Sequence, residues 1–242
     1  MERRLSVGET LSSAFSIYRD RAGVLLPVAF WLFLFARIVE ELTSDLLALF
    51  WLGAIVSLTA ATFYEGMVVG LVREVQGGRR DSSIRDLITG VVPVFWRLLG
   101  SSFVYALGIT GGLILLVVPG LYLLAVWAVV APVIVVERRP VFDAFGRSRQ
   151  LVRGNGWPVF WSILISFVLS AAASLALVQL ADSIASAPPL RIVLGTLATT
   201  VTAPVAALVA SVLYFRLREI GDSPAASDSS ASAAVESPPA AS

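Results

Sequence analysis

The sequence predicts an all-α, polytopic membrane protein with six transmembrane helices, arranged as three hairpins that are each preceded by a cytoplasmic amphipathic helix. Three observations support this fold class. Charged residues make up 14% and hydrophobic residues 57% of the 242 positions, whereas a soluble domain of this length carries about 25% charged residues. Uncharged apolar runs recur along the chain, which has a mean hydropathy of +0.84. Finally, nearly all basic residues fall in every second connection between these runs.

The longest apolar run covers residues 98–136 and contains no charged side chain. As one helix it would measure ~58 Å, about twice the ~30 Å hydrocarbon thickness of a bilayer. We therefore expect it to cross the membrane, turn near Pro119 and Gly120, and cross back. Pro119 suits the first turn of the second helix because its missing N–H removes no hydrogen bond there, and Gly120 permits close packing at the turn.

The other four crossings are apolar runs of the length expected for a spanning helix. They cover residues 22–39, 46–72, 157–181 and 192–215. Residues 1–218 are thus predicted to form one six-helix membrane domain. The remaining residues, 219–242, are rich in Ser, Ala and Pro, a composition with too little apolar area to fold, so they are expected to form a disordered cytoplasmic tail.

Three shorter segments place apolar side chains at helical spacing and precede the three hairpins. They cover residues 7–18, 83–95 and 141–152. We interpret them as amphipathic helices that lie on the membrane surface. For the first of them, the alternative is a short helix packed beneath the bundle.

The arginines set the predicted orientation. All 18 basic residues are arginine, and 16 of them lie in the N-terminal segment, the connections after the second and fourth crossings, and the C-terminal end. Only Arg37 and Arg191 fall on the other side. Because basic residues are retained in the cytoplasm, we predict a multi-pass protein of the plasma (inner) membrane with both termini cytoplasmic.

Missing residue types narrow the possible chemistry. The chain contains no Lys, His or Cys. Phosphate-loop lysines, Schiff bases, imidazole bases, thiol nucleophiles and ordinary zinc sites are therefore excluded. We expect no cofactor, no metal site and no catalytic residue. A nucleic-acid partner is not expected either, because the arginines are spread along membrane connections and lack a recognition fold.

Two charged residues lie within or beside predicted crossings. Glu65 is a candidate intramembrane polar residue for an ion or proton path. It has an alternative interpretation as a hydrated interfacial residue, because residues 46–64 already supply an uncharged span. Arg37 is positioned for an ion pair with Glu40 or Glu41 at the outer interface, or for substrate binding.

The basic connections are the main candidate site. Each arginine near an anionic leaflet contributes ~1 kcal/mol of attraction, so contacts with anionic lipid headgroups or with an unknown protein partner are expected. The same arginines are also needed for topology alone. The candidate residues are Arg79, Arg80, Arg138, Arg139, Arg147, Arg149 and Arg153.

A set of short motifs resembles a family of integral membrane proteins. The motifs are residues 131–137 (APVIVVE), Pro140, Ala144, Arg147-Ser148, Leu151, Gly154 and Trp157, together with Pro119-Gly120-Leu121-Tyr122 and the opening Gly8-Glu9-Thr10-Leu11 with Phe15 and Tyr18. They are similar to the membrane domain attached to some glycerophosphoryl diester phosphodiesterases and to the related YciC-type proteins. The likeness spans most of residues 5–218.

The resemblance implies a six-helix membrane module without hydrolase activity. In the fused enzymes a separate soluble barrel carries the catalytic histidines, and this chain has neither a histidine nor the ~250 further residues of such a barrel. The family supplies no catalytic residues to carry over. At its motif positions, Glu137 is expected to pair with Arg138 or Arg147, and Ser148 to pack against the bundle.

These observations favour a non-enzymatic membrane module that interacts with lipid, organises the membrane or docks a partner through a basic cytoplasmic face. The alternative is a transporter or channel-like protein for a small solute or lipid, suggested by the repeated hairpins, by Glu65, and by Pro27, Pro132 and Pro204 in or near the crossings.

Overall fold

The computed structural model describes residues 5–43, 49–78, 83–184 and 187–221. These residues form nine α-helices and one 3-10 turn, and no β-strand occurs among them. Six helical stretches are long and apolar enough to cross a membrane, which confirms the all-α polytopic fold. The helices are α1 (Val7–Thr43), α2 (Phe50–Gln76), α3 (Ile84–Val91), α4 (Phe95–Leu115), α5 (Val117–Val126), α6 (Val130–Glu137), α7 (Val141–Val152), α8 (Gly156–Ile184) and α9 (Pro188–Gly221).

Helix α1 joins two segments that the sequence analysis separated. It is continuous over 37 residues, or ~55 Å, and so exceeds the ~30 Å hydrocarbon thickness. The predicted first surface helix is corrected to the opening turns of this long helix. These turns pack along α9, where Thr10 and Ala14 are buried and the Tyr18 hydroxyl donates to the Val201 carbonyl (3.1 Å).

The second predicted amphipathic helix is confirmed as α3 followed by a 3-10 turn, Val92–Val94. Ser83 caps α3, since its hydroxyl oxygen accepts from the Arg85 N–H (3.3 Å). Leu87 and Val91 are buried while Ile84 and Ile88 are exposed. The four residues form one apolar face at helical spacing, of which one part packs on the protein core and the other part is left exposed, as expected of a helix that lies between the core and lipid.

The turn of the central hairpin is as predicted. Leu116 has an extended backbone between α4 and α5, and Pro119 occupies the first turn of α5. A Cβ atom on Gly120 would lie 2.8 Å from the Leu113 backbone nitrogen, and one on Gly112 would lie 2.9 Å from the Gly120 Cα. Only glycines allow the two helices to approach this closely.

The returning arm of this hairpin is broken, which the sequence analysis did not predict. Helix α5 ends at Val126 and α6 begins at Val130. Pro132 favours the break, because it has no N–H for the Ala128 carbonyl and its ring would clash with that carbonyl in an undistorted helix. Pro27 and Pro204, in contrast, lie inside the unbroken helices α1 and α9.

Consecutive long helices pack as pairs, α1 with α2, α4 with α5 and α8 with α9, and α9 also packs along α1. The core is concentrated at one end, where the second half of α2, α6 and the last turns of α9 meet. Val68, Val133 and Leu213 are fully buried there. Much of α4, α5 and α8 exposes large apolar side chains instead, as expected of helices that face lipid.

Some predictions concern residues outside the described part of the chain. These are the candidate residues Arg79 and Arg80 and the tail from residue 222 onward. Helix α9 continues to Gly221, so the first three residues of the predicted tail, 219–221, are helical.

Candidate functional site at the arginine-rich end

The ends of the helices that carry most arginines meet at one end of the bundle. We call this end of the bundle the arginine-rich end. It comprises the first turns of α1, the ends of α2, α6 and α9, the starts of α3 and α4, and all of α7. Arg97 Nη1 at the start of α4 donates to the Arg138 carbonyl after α6 (2.7 Å). Arg216 near the end of α9 bonds Glu9 near the start of α1 (2.9 Å). Connections far apart in sequence thus form one surface.

Glu137 is the centre of an ion-pair network. Its Oε2 accepts from Arg139 Nε (2.6 Å), and its Oε1 accepts from Arg147 Nε (3.2 Å) and from the Tyr214 hydroxyl (3.1 Å). The carboxylate side chain is 15% exposed and joins α6, α7 and α9. The predicted pair with Arg147 is confirmed, but Arg139 rather than Arg138 is its second cation.

Arg138 is diverted from Glu137 by its backbone. It ends α6 in the left-handed conformation (φ 55°, ψ 30°), and it is the one non-glycine residue with positive φ in the described ranges. This conformation stops the helix and turns the chain toward α7. It also directs the Arg138 side chain to the lining of a cavity between α2, α3 and α6 instead of to Glu137.

Arg216 fastens the two longest helices to each other. Its Nη1 donates to Glu9 Oε2 (2.9 Å), and its Nη2 donates to the Glu9 carbonyl (3.2 Å) and to Ser13 Oγ (3.0 Å). Sequence reasoning missed this contact. The available signal was that Glu9 and Ser13 are one helical turn apart, which places them on the same face of α1.

Helix α7 is the third predicted amphipathic helix, with the predicted bounds. Its buried face includes Ala144, Phe145 and Ser148. Ser148 Oγ donates to the Val126 carbonyl (2.7 Å), and the Phe145 ring meets the Trp127 ring edge-on at 4.7 Å. Ser148 thus packs against the bundle as predicted, at the break between α5 and α6. α7 docks on the break and satisfies a carbonyl that the break leaves free.

The opposite side of α7 carries an exposed stripe at helical spacing. Phe142, Arg149 and Arg153 are exposed there, and Trp157 at the start of α8 is 72% exposed. Within the described part of the chain, neither arginine forms an ion pair. We call Phe142, Arg149 and Arg153 the basic stripe. Cations and aromatic rings together are typical of a helix at a membrane surface.

The structure thereby divides the seven predicted arginines by role. Arg139 and Arg147 are neutralised by Glu137, Arg138 lines a cavity, and Arg149 and Arg153 belong to the basic stripe. Arg79 and Arg80 lie outside the described residues.

The two candidates near the crossings lie far from each other. Glu65 is half-buried in α2, next to Gly66, whose position contacts Leu98 in the first turn of α4. It therefore lies toward the arginine-rich end, without an ion pair among the described residues. Arg37 is at the other end of the bundle and pairs with Glu40 (3.4 Å), one of its two predicted partners.

Comparison with known proteins finds no relative of this chain. No protein-family model, no curated protein and no solved structure matches the chain. The resemblance to the membrane domain of glycerophosphoryl diester phosphodiesterases and to YciC-type proteins therefore stays a prediction, and the chain itself is described as an integral membrane protein of six apolar helices.

Proposed function

We propose that this protein is a non-enzymatic membrane module that binds anionic lipid headgroups through the basic stripe of α7. The observation that carries the proposal is that Arg149 in α7 and Arg153, the residue directly after α7, are exposed, while the other side of α7 is docked in the bundle. Their charges have no partner among the described residues. Anionic phosphates are the natural counter-charge for two such arginines at a membrane surface.

The geometry favours lipid over a soluble partner. Phe142 (78% exposed) lies on the same side of α7 as the two arginines. An aromatic ring can enter the boundary between headgroups and acyl chains while the guanidinium groups remain at phosphate level. Under this proposal the arginine-rich end faces the cytoplasm, and the basic stripe contacts the inner leaflet of the plasma (inner) membrane. Both termini are then cytoplasmic.

A non-enzymatic role is supported by the state of the acids at this end. The two oxygens of Glu137 accept three hydrogen bonds, and Glu9 is bonded to Arg216. Carboxylates that are engaged in this way join helices to one another and are poorly placed to act as general bases. These acids are better explained as structural.

Native mass spectrometry of the purified full chain in detergent tests the proposal. Phosphatidylglycerol is titrated against phosphatidylcholine with identical acyl chains. The doubly substituted Arg149→Gln/Arg153→Gln protein should lose most of the preference for phosphatidylglycerol, about thirtyfold in relative affinity, because each of the two lost arginine contacts contributes ~1 kcal/mol. Its matched control is Arg37→Gln/Arg191→Gln, which removes the same charge at the other end and should keep the preference. Equal preference in all three proteins would refute the role of the stripe.

A second candidate function, transport of a small solute or lipid, is favoured by one observation. Glu65 is a half-buried carboxylate inside a spanning helix, without an ion pair among the described residues, and such residues often mark ion or proton paths. Transport predicts that proteoliposomes show a solute or proton flux that the Glu65→Gln protein lacks. Equal flux in the two proteins, or none in either, would argue against this candidate.

A further inference from the structure

A polar cavity of about 400 Å³ lies between the end of α2, the length of α3 and the end of α6. This volume is within the range of small-molecule sites. Three glycines, Gly70, Gly77 and Gly90, line it and leave the space open. Four charged side chains also line it, two of each sign: Arg73, Arg138, Glu74 and Asp86.

Within the described ranges, these four charges do not join one helix to another. None of them forms an ion pair with any described residue. Glu74 Oε2 is buried and has no hydrogen-bond donor within the described part of the chain. A buried carboxylate oxygen without a donor is costly and rare in native proteins, so it points to a missing partner.

The other large polar cavity at this end provides a contrast. It measures about 470 Å³ and is lined by Glu9, Ser13 and Arg216, among others. There the guanidinium group of Arg216 already bonds Glu9 and Ser13. The charges of Glu9 and Arg216 therefore serve to join α1 to α9. The charges of the first cavity have no such partner among the described residues and can bind a ligand.

The position of Arg138 is imposed by its surroundings. Its left-handed backbone is unfavourable for a residue with a Cβ atom. Two contacts hold it: the Arg138 carbonyl accepts from Arg97 (2.7 Å), and the preceding Glu137 is fixed by its own network. Unfavourable backbone conformations that the surroundings enforce are concentrated at ligand sites.

Helix α3, which forms one wall of the cavity, also exposes apolar side chains away from the cavity lining. Leu87 and Asp86 line the cavity, while Ile84, Ile88 and Trp96, on and just after α3, are exposed. In a protein with six membrane-crossing helices, such an exposed apolar face is suited to acyl chains. A ligand in the cavity can therefore have a charged head in the polar space and a hydrocarbon tail along α3.

We propose that the cavity binds the headgroup of a zwitterionic glycerophospholipid with a primary ammonium group, of the phosphoethanolamine type. The phosphate meets Arg73 and Arg138, and the ammonium meets Glu74 and Asp86. Phosphate pairs well with guanidinium groups, and a primary ammonium supplies the donor that Glu74 Oε2 lacks. The inference deepens the proposed lipid-binding function but uses a different site from the basic stripe.

The test measures one-to-one lipid binding to the delipidated full chain in detergent by native mass spectrometry. Phosphatidylethanolamine, phosphatidylcholine and phosphatidylglycerol with identical acyl chains are compared. We expect phosphatidylethanolamine to bind at least about tenfold more tightly than phosphatidylcholine, whose trimethylated ammonium cannot donate a hydrogen bond. Soluble phosphoethanolamine should compete only at much higher concentration, because it lacks the acyl chains.

Three variants separate the cavity from general surface charge. Arg138→Gln and Glu74→Gln should each weaken phosphatidylethanolamine binding by about tenfold, the loss of one charge-assisted hydrogen bond. Gly90→Met should block binding without removing a charge. Nothing lies within 4 Å of a Cβ atom at Gly90, and methionine is the better helix former, so this protein should fold.

Two results would overturn the inference. One is that phosphatidylethanolamine binds the Gly90→Met and Glu74→Gln proteins as it binds the original. The other is that soluble phosphoethanolamine binds as tightly as the lipid, which would make the ligand a soluble metabolite. The Arg149→Gln/Arg153→Gln protein should retain phosphatidylethanolamine binding. This variant therefore distinguishes a failure of the proposal for the basic stripe from a failure of the proposal for the cavity.

Discussion

Glu137 has an unusual position for a carboxylate, because it follows an apolar run of a predicted crossing yet binds two arginines and a tyrosine. Its side chain is 15% exposed, whereas Arg139 and Arg147 are 45% and 28% exposed. Because both arginines are partly exposed, solvent screens their attraction to the Glu137 carboxylate. Removal of the carboxylate charge would still leave two guanidinium groups facing each other without a counter-charge.

Glu137→Gln should therefore destabilise the protein by ~2 kcal/mol, since breaking a partly buried ion pair leaves uncompensated charge. Tyr214→Phe removes one hydrogen bond to the same carboxylate and the contact of the hydroxyl with Arg218, but it leaves both arginine pairs of Glu137 in place and should cost only ~1 kcal/mol. Thermal unfolding in detergent, followed by circular dichroism, measures both. The interpretation of Glu137 as the centre of the network is contradicted if Tyr214→Phe lowers Tm as much as Glu137→Gln does.

Sequence spacing could predict only part of this network. Glu137 and Arg147 are separated by a short turn, so their pairing was within reach of local reasoning. Tyr214 and Arg216 come from the last helix, and the bond between Arg216 and Glu9 joins residues 207 positions apart. No local pattern contains such a contact, because it depends on α9 packing along α1.

The break between α5 and α6 is the element on which α7 depends. In a continuous helix the Val126 carbonyl would accept from the Val130 N–H, but that N–H bonds the Trp127 carbonyl instead (3.2 Å). Ser148 supplies the missing donor. The Trp127 ring occupies the space beside Gly108 and leaves no room for a Cβ atom there. The break, α7 and the glycine on α4 form one packed unit.

Ser148→Ala should cost ~1–3 kcal/mol, because it leaves a buried carbonyl without a donor. Ser211→Ala is the matched control. Ser211 is equally buried, and its hydroxyl also bonds a carbonyl at 2.7 Å, but that carbonyl lies inside the continuous helix α9 and has a helical donor. Thermal unfolding should show the larger loss for Ser148→Ala. Equal losses would mean that the free carbonyl at the break does not matter.

At the level of elements, the sequence predicted α7 and the turn at Pro119 because both have local signals, an apolar periodicity and a proline-glycine pair. The break at residues 127–129 also had a signal in Pro132, but Pro27 and Pro204 lie in unbroken helices, so proline alone does not distinguish the cases. The continuity of α1 was missed because a change from polar to apolar composition resembles a helix boundary even where no residue interrupts the helix.

For the whole molecule, hydropathy was sufficient to predict six crossings, since four apolar runs are each long enough to span the bilayer core once and the run of residues 98–136 is long enough to span it twice. It was not sufficient to predict which helices adjoin. A helix face that contacts lipid and one that contacts protein are both apolar in a membrane, so the contact of α1 with α9 has no distinct signal. The two cavities at the arginine-rich end follow from these contacts and could not be placed from sequence.

The positive-inside interpretation predicts that the two ends of the bundle face opposite sides of the membrane. The chain has no cysteine, so single cysteines can be introduced and labelled with a membrane-impermeant maleimide. Cysteines replacing Glu41 and Ala187, at the end that holds Arg37, should react in intact cells. Cysteines replacing Gly77 and Gly154, at the arginine-rich end, should react only after the membrane is opened, because that end carries nearly all the positive charge. Labelling of Gly77→Cys or Gly154→Cys in intact cells would reverse the topology, and the basic stripe would then face away from the anionic inner leaflet on which the proposed function depends.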